Sequence, residues 1–200
     1  MIRAGYDAFR GLAGVLRLLT FRPEWAERFD VSASGVARSF FAAAFALPCL
    51  FFIIAARERM ALELGASPPD MPAVYYVLGY TLPWLLFPGF AAIVTILTGR
   101  REAFGPWIVV HNWAVLFLFM SQAFIYVLYM AGLADAGSAV RLVRDIYMPL
   151  RLIVHWRVAV GSLGLPWPIA TGAAVIPVLG LEILSVILFD AFVPDSFALQ

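Results

Sequence analysis

Four stretches of this chain carry no charged residue: 39–56, 71–99, 103–134 and 158–181. The shortest, roughly 18 residues at 1.5 Å rise, reaches about 27 Å as a helix, enough for a thin bilayer core. Hydrocarbon offers no hydrogen bonds, so a segment within it must satisfy its own backbone as a helix or close into a barrel. Runs this long and continuously apolar are helical rather than alternating. The sequence therefore predicts an all-α, polytopic transmembrane helical bundle.

Composition points the same way. Charged residues make up 14% of the chain, against about 25% in soluble domains, and mean hydropathy is +0.90. The lipid bilayer is the expected partner of most of this surface. Net charge is +1; phosphate neutralisation needs clustered basic surface, so no nucleic acid is expected. Every basic residue is Arg and none is Lys, a bias expected of GC-rich bacterial coding and hence of an inner-membrane protein. Cys49 is the lone cysteine and cannot form an intramolecular disulfide. No Cys/His cluster has metal spacing, and no cofactor is expected.

The chain divides into an N-terminal arm, 1–35, and a transmembrane domain, 36–200. Arg3, Asp7, Arg10 and Arg17 interrupt the first twenty residues, unlike a cleaved signal. Arg3, Arg10 and Arg17 recur every seven residues, with Tyr6, Phe9, Ala13 and Leu16 on another face and Asp7 placed to pair with Arg3. This pattern predicts an amphipathic interfacial helix. Gly11 and Gly14 weaken it by about 1 kcal/mol each relative to Ala, so contact with lipid or protein must hold it. Pro23 starts a second short helix. Asp30, Ser32 and Ser34 are candidate N-caps for the next element.

Five spans are expected, at about 37–56, 72–98, 105–131, 146–163 and 169–191. The turn between the last two sits at 164–168, because Pro166 and Pro168 each remove a hydrogen bond and restrict the residue before them. Arg151 and Arg157 then fall inside span four, and Glu182 inside span five. The alternative is one broken helix through 158–181 and four spans. Arg counts set orientation. Eight Arg lie in the arm and the 98–105 loop, and four in the two loops opposite. The expected topology is N-terminus cytoplasmic and C-terminus periplasmic.

Ionisable groups inside a membrane are costly and therefore informative. Arg144, Met148, Arg151, His155 and Ser162 share one face of span four. His111, Gln122 and Tyr129 share one face of span three, with Tyr126 beside them. Thr171, Glu182 and Ser185 lie together on span five. Counting from span ends brings Arg151, His155, Glu182 and Gln122 to similar depth. Glu182 is then the counter-ion of Arg151 or a proton partner of His155. The candidate network is Arg151, His155, Glu182, Gln122, His111 and Tyr126. Pro83 and Pro88, five apart in span two, form a candidate hinge or carbonyl-lined site. Trp107, Trp113, Tyr126, Tyr129, Tyr147 and Trp167 read as interface anchors.

With these spans placed, the chain resembles small bacterial Yip1-domain or Yip1-like membrane proteins. The features are the amphipathic arm, a span with internal proline at Ala46-Leu47-Pro48-Cys49, and Phe104-Gly105-Pro106-Trp107-Ile108-Val109-Val110-His111-Asn112-Trp113 entering the third span. Trp156-Arg157-Val158-Ala159 before a short turn is the last. The pattern covers 36–192. Eukaryotic members carry an Asp-Leu-Tyr/Ala-Gly-Pro segment near the start of the membrane domain. The nearest string here, Asp145-Ile146-Tyr147-Met148-Pro149, lies between spans three and four and lacks the Gly, so their trafficking role does not carry over. The resemblance implies a five-span bundle without a known active site.

No nucleophile elbow, phosphate loop or carboxylate pair suggests an enzyme. The first functional expectation is a non-enzymatic membrane scaffold that engages a membrane-protein partner or a second copy. The alternative is a small transporter or ion-coupled permease using the Arg/His/Glu network. A water-accessible cavity lined by those side chains favours transport; a dry, fully paired network favours the scaffold.

Overall fold

The computed structural model describes residues 2–66 and 71–192. Asp70, Asp195 and the final residues of the transmembrane domain fall outside that range. Among the described residues the regular structure is entirely helical: α1 Ile2–Leu19, α2 Ala33–Ser39, α3 Phe41–Glu63, α4 Ala73–Leu97, α5 Phe104–Met130, α6 Ala136–Leu142, α7 Met148–Leu163 and α8 Trp167–Phe192. Helices α3, α4, α5 and α8 are long and apolar enough to cross a membrane. Helix α7, shorter and carrying Arg151 and Arg157, runs antiparallel between α5 and α8.

Pair contacts fix the directions. Ser39 meets Asn112 and Arg59 meets Tyr129, so α3 and α5 run parallel. Phe87 packs on Trp107 and Tyr80 on Phe119, so α4 opposes α5. Arg151 meets Glu182 and Trp156 meets Thr171, so α7 opposes α8. Five helices thus alternate in direction, with α5 at the centre. The break at 164–166 is real: Gly164 adopts a left-handed φ of 58° and ends α7, a conformation glycine reaches without Cβ strain. Pro166 then accepts the first amides of α8 and Pro168 sits in its first turn, where a missing N–H costs nothing. Residues 158–181 thus belong to two antiparallel helices and not to one broken helix.

The fourth span departs from expectation at its start. It does not begin at 146 after a loop; the chain is helical without interruption from Ala136 to Leu163. Asp135 caps the start by accepting from the Ser138 amide at 2.6 Å. Between Val143 and Tyr147 one π turn intervenes, closed by the Met148 amide on the Val143 carbonyl. Pro149 follows at once, and the wider turn accommodates its ring without ending the helix.

The arm folds back onto the bundle end where α5 begins and α7 finishes. Its buried face is Gly11, Gly14, Val15 and Leu18. A Cβ at Gly11 would lie 2.5 Å from Cγ of Trp113, so glycine here permits contact rather than merely weakening the helix. Arg157 reaches the arm's C-terminal end. Its Nε and Nη2 donate to the Leu18 carbonyl at 3.2 and 2.9 Å, and its guanidinium lies 4.1 Å from the Phe21 ring. That cation sits where the helix dipole is negative. Asp7 bonds Arg38; the side chain of Arg3, its expected partner, lies outside the described residues. Of the three candidate caps, Ser32 serves, accepting from the Gly35 amide at 3.1 Å.

Candidate functional site: a polar cavity among four helices

Helices α4, α5, α7 and α8 border a partly open cavity of about 210 Å³ whose lining is largely apolar. Its polar wall comes from Tyr80 on α4, His111 on α5, Tyr147, Arg151 and His155 along α7, and Ser185 on α8. At ~30 Å³ per water this is room for several waters or one small molecule.

Each helix contributes through a distinct local feature. On α4, Pro83 lacks an N–H, so the Gly79 carbonyl four residues back loses its helical partner; Pro88 does the same for Trp84. Both Gly79 and Trp84 line the cavity, as does Pro83; Pro88 does not. Helix α4 nonetheless runs unbroken through both prolines. The candidate hinge is thus a continuous helix whose two freed carbonyls belong to wall residues. Tyr80 is tied down by donating its hydroxyl to the Ala43 carbonyl on α3.

On α5, His111 is 5% exposed. Its ring stacks on Phe87 at 3.3 Å between centroids, and its other neighbour is His155, 5.5 Å away. Next to it Asn112 is 1% exposed and donates to Ser39 Oγ at 2.9 Å. This clasp between α2 and α5 was not expected, although an Asn among apolar residues in a span is itself a signal for an interhelical bond.

On α7 and α8, Arg151 Nη2 donates to Glu182 Oε1. The side chains are 29% and 46% exposed. Mutual neutralisation is the condition for keeping both charges there. Glu182 thus pairs with Arg151 and not with His155. Nearby, Trp156 Nε1 donates to Thr171 Oγ1 at 2.8 Å, which donates to the Trp167 carbonyl at 2.7 Å.

Arg151, His155 and His111 therefore meet at the cavity and Glu182 joins them through Arg151, while Glu182, Gln122 and Tyr126 do not themselves line it. Tyr126 packs instead with Ile53, Ala56 and Tyr129 toward α3. The depth count failed because the continuous helical stretch that leads into α7 starts at Ala136, ten residues earlier than expected. His155 consequently lies level with His111, and Gln122 is ~16 Å further along α5 at 1.5 Å per residue. Ser162 Oγ is buried without a partner away from the cavity. Five of the six aromatic anchors are also corrected. Trp107, Trp113, Tyr126, Tyr129 and Tyr147 are all buried, and only Trp167 is exposed. Four of them lie on α5, whose central position turns end-of-span aromatics inward. Tyr147 belongs to the cavity wall. Tyr80 was legible only as part of a proline-rich span.

Among the described residues no group of three or more His, Cys, Asp and Glu is placed to hold a metal ion. The site is a cavity lined by two imidazoles, the Arg151 guanidinium and three hydroxyls, with Glu182 paired to Arg151 from outside the lining. No family model, curated protein sequence or solved structure matches this chain.

Proposed function

We propose that this protein is a small transporter of the bacterial inner membrane, arm in the cytoplasm, that binds its solute in the α4–α5–α7–α8 cavity and couples occupancy to protonation of Glu182. The observation that supports this reading is the cavity itself, lined by Arg151, His155 and His111. A polar hollow inside a bundle is expensive unless water or a ligand fills it, and a purely structural network would close on itself. The coupling follows from the ion pair. Ionised Glu182 holds Arg151. A proton on Glu182 removes the attraction and frees a cation at the cavity wall. The orientation rests on Arg distribution: arm and 98–105 residues lie at one end of the bundle and Arg57, Arg59, Arg141 and Arg144 at the other.

The test is proton uptake. Purified protein in liposomes with an entrapped pH-sensitive dye should acidify the lumen after an external acid pulse. Glu182→Gln should abolish that uptake while leaving helicity and oligomeric state unchanged. Absence of uptake by the wild type counts against the reading.

A second reading is the non-enzymatic scaffold. The pairing of Arg151 with Glu182 supports it, because a satisfied intramembrane pair fixes helix geometry. It expects strong energetic coupling between the two residues and no flux.

A further inference from the structure

A second space adjoins the cavity. Between α7 and α8 an open groove of about 370 Å³ faces outward, lined by Leu152, His155, Trp156, Thr171, Val175 and Leu179 among others. Leu152, Val175 and Leu179 are 59%, 45% and 54% exposed, and in spanning helices the medium they meet is hydrocarbon. The groove's polar groups are consumed internally, since Trp156 donates to Thr171 and Thr171 to Trp167. Nothing in it favours a polar occupant. His155 lines both spaces. Its ring is the partition between an apolar groove open to lipid and a polar cavity inside the bundle.

The charge balance of the inner space restricts what can sit there. Arg151 is neutralised by Glu182, and the remaining polar wall consists of the His111 and His155 imidazoles and the hydroxyls of Tyr80, Tyr147 and Ser185. While Glu182 is ionised, the state in which the cavity takes its ligand, such a wall exchanges hydrogen bonds with an uncharged group and offers no unpaired cation to an anion.

We propose that the ligand is a membrane-dissolved amphiphile with an uncharged, oxygen-bearing head and an apolar tail, the head held in the cavity beside His155 and the tail lying in the α7–α8 groove. This rests on the transport reading and names its substrate class: a molecule taken from the bilayer laterally, not from water along the bundle axis. Hydrocarbon surroundings favour the tail wherever it lies; the specificity comes from the junction, where one side chain borders both environments.

The probe is a long-chain primary alcohol with a diazirine in its tail, added to full-length protein in nanodiscs. Photolabelling should concentrate on 152–156 and 171–179. Excess unlabelled long-chain alcohol should reduce it at least tenfold, whereas the carboxylate of equal length and a short-chain alcohol should compete at least tenfold less well. Val175→Trp and, separately, Leu179→Trp place bulk in the groove at lipid-exposed positions that tolerate it, and each should cut labelling about tenfold. Label spread evenly over all lipid-facing helices, or untouched by both substitutions, overturns the inference and means annular lipid only. Better competition by the carboxylate overturns the uncharged head. Glu182-dependent proton uptake that persists without saturable labelling defeats this inference alone; absent uptake in the wild type defeats the transport reading beneath it.

Discussion

Arg151 of α7 donates to Glu182 of α8, and His155, one turn on, faces His111 across 5.5 Å. The ion pair and the imidazole pair therefore lie one helical turn apart, and Arg151, His155 and His111 all line the cavity wall. Removing one charge leaves the other uncompensated in the membrane. Glu182→Gln should lower stability by about 2 kcal/mol or more, the scale of a bare charge in a span. Arg151→Met combined with Glu182→Leu should recover much of that loss, because neither charge then needs a partner. Unfolding in mixed micelles by a graded denaturing detergent measures all three variants. Additive effects would mean that the two residues do not depend on each other.

The arm's seat gives a second expectation. Gly11→Ala must push a methyl into the Trp113 ring, an overpacking cost of about 1–3 kcal/mol. Gly5 has nothing within 4 Å of a built Cβ. Gly5→Ala should leave the arm in place and stabilise α1 by about 0.5–1 kcal/mol. Limited proteolysis between residues 19 and 32 separates the cases. The first substitution should expose that connector and the second should protect it further.

Much of this fold was legible. The uncharged runs mark α4 and α5 within a few residues, while α3 continues seven residues past its run to Glu63; Pro166 with Pro168 marks the last turn and so the start of α8. The ion pair was legible too, because Arg151 and Glu182 sit in facing spans where an unpaired charge is intolerable. Two things were hidden. Pro149 looks like a helix start, yet a π turn carries the helix through it from Asp135, and that shift moved every depth estimate on the fourth span. The second is which helix is central. Gln122 repeats on the face of His111, but a helical face has different neighbours at different heights, so periodicity alone cannot say which polar residues meet. The cavity depends on four helices at once and has no signature in any one of them.

Acid should loosen the arm. Asp30 sits in the connector with its carboxyl below the usual range, first through hydrogen bonds from the Ser32 side chain and amide, and then through Arg38, which also bonds Asp7 at 2.7 Å. A carboxyl depressed by folding adds stability above its unfolded value of about 3.9 and loses it as pH falls through the folded value. Arm protection against an acid-tolerant protease such as pepsin should therefore be constant near neutrality and decline below about pH 4. Asp30→Asn should show weaker protection at neutral pH and a flatter acid limb.

The five alternating helices place the arm and the end of α8 on opposite faces of the bundle. Arg157 and Gly161 at the end of α7 touch the arm, through Leu18 and Trp25. The other end of the bundle holds Tyr75 against Phe192, joining the start of α4 to the end of α8. Reporters make this testable. A phosphatase active only outside the cytoplasm, fused after 192, should be active when the arm is cytoplasmic, and a fluorescent protein that matures only in the cytoplasm should be dark there. The same fluorescent protein fused before α1 should be bright. If both ends report the same compartment, α7 does not cross and the membrane holds four helices. In that case the Arg151–Glu182 pair would sit at a surface rather than at depth, its loss would cost the ~0–1 kcal/mol of a solvated pair, and the cavity would open to water instead of lipid. One fusion series therefore decides both the span count and the setting in which every charge on α7 operates.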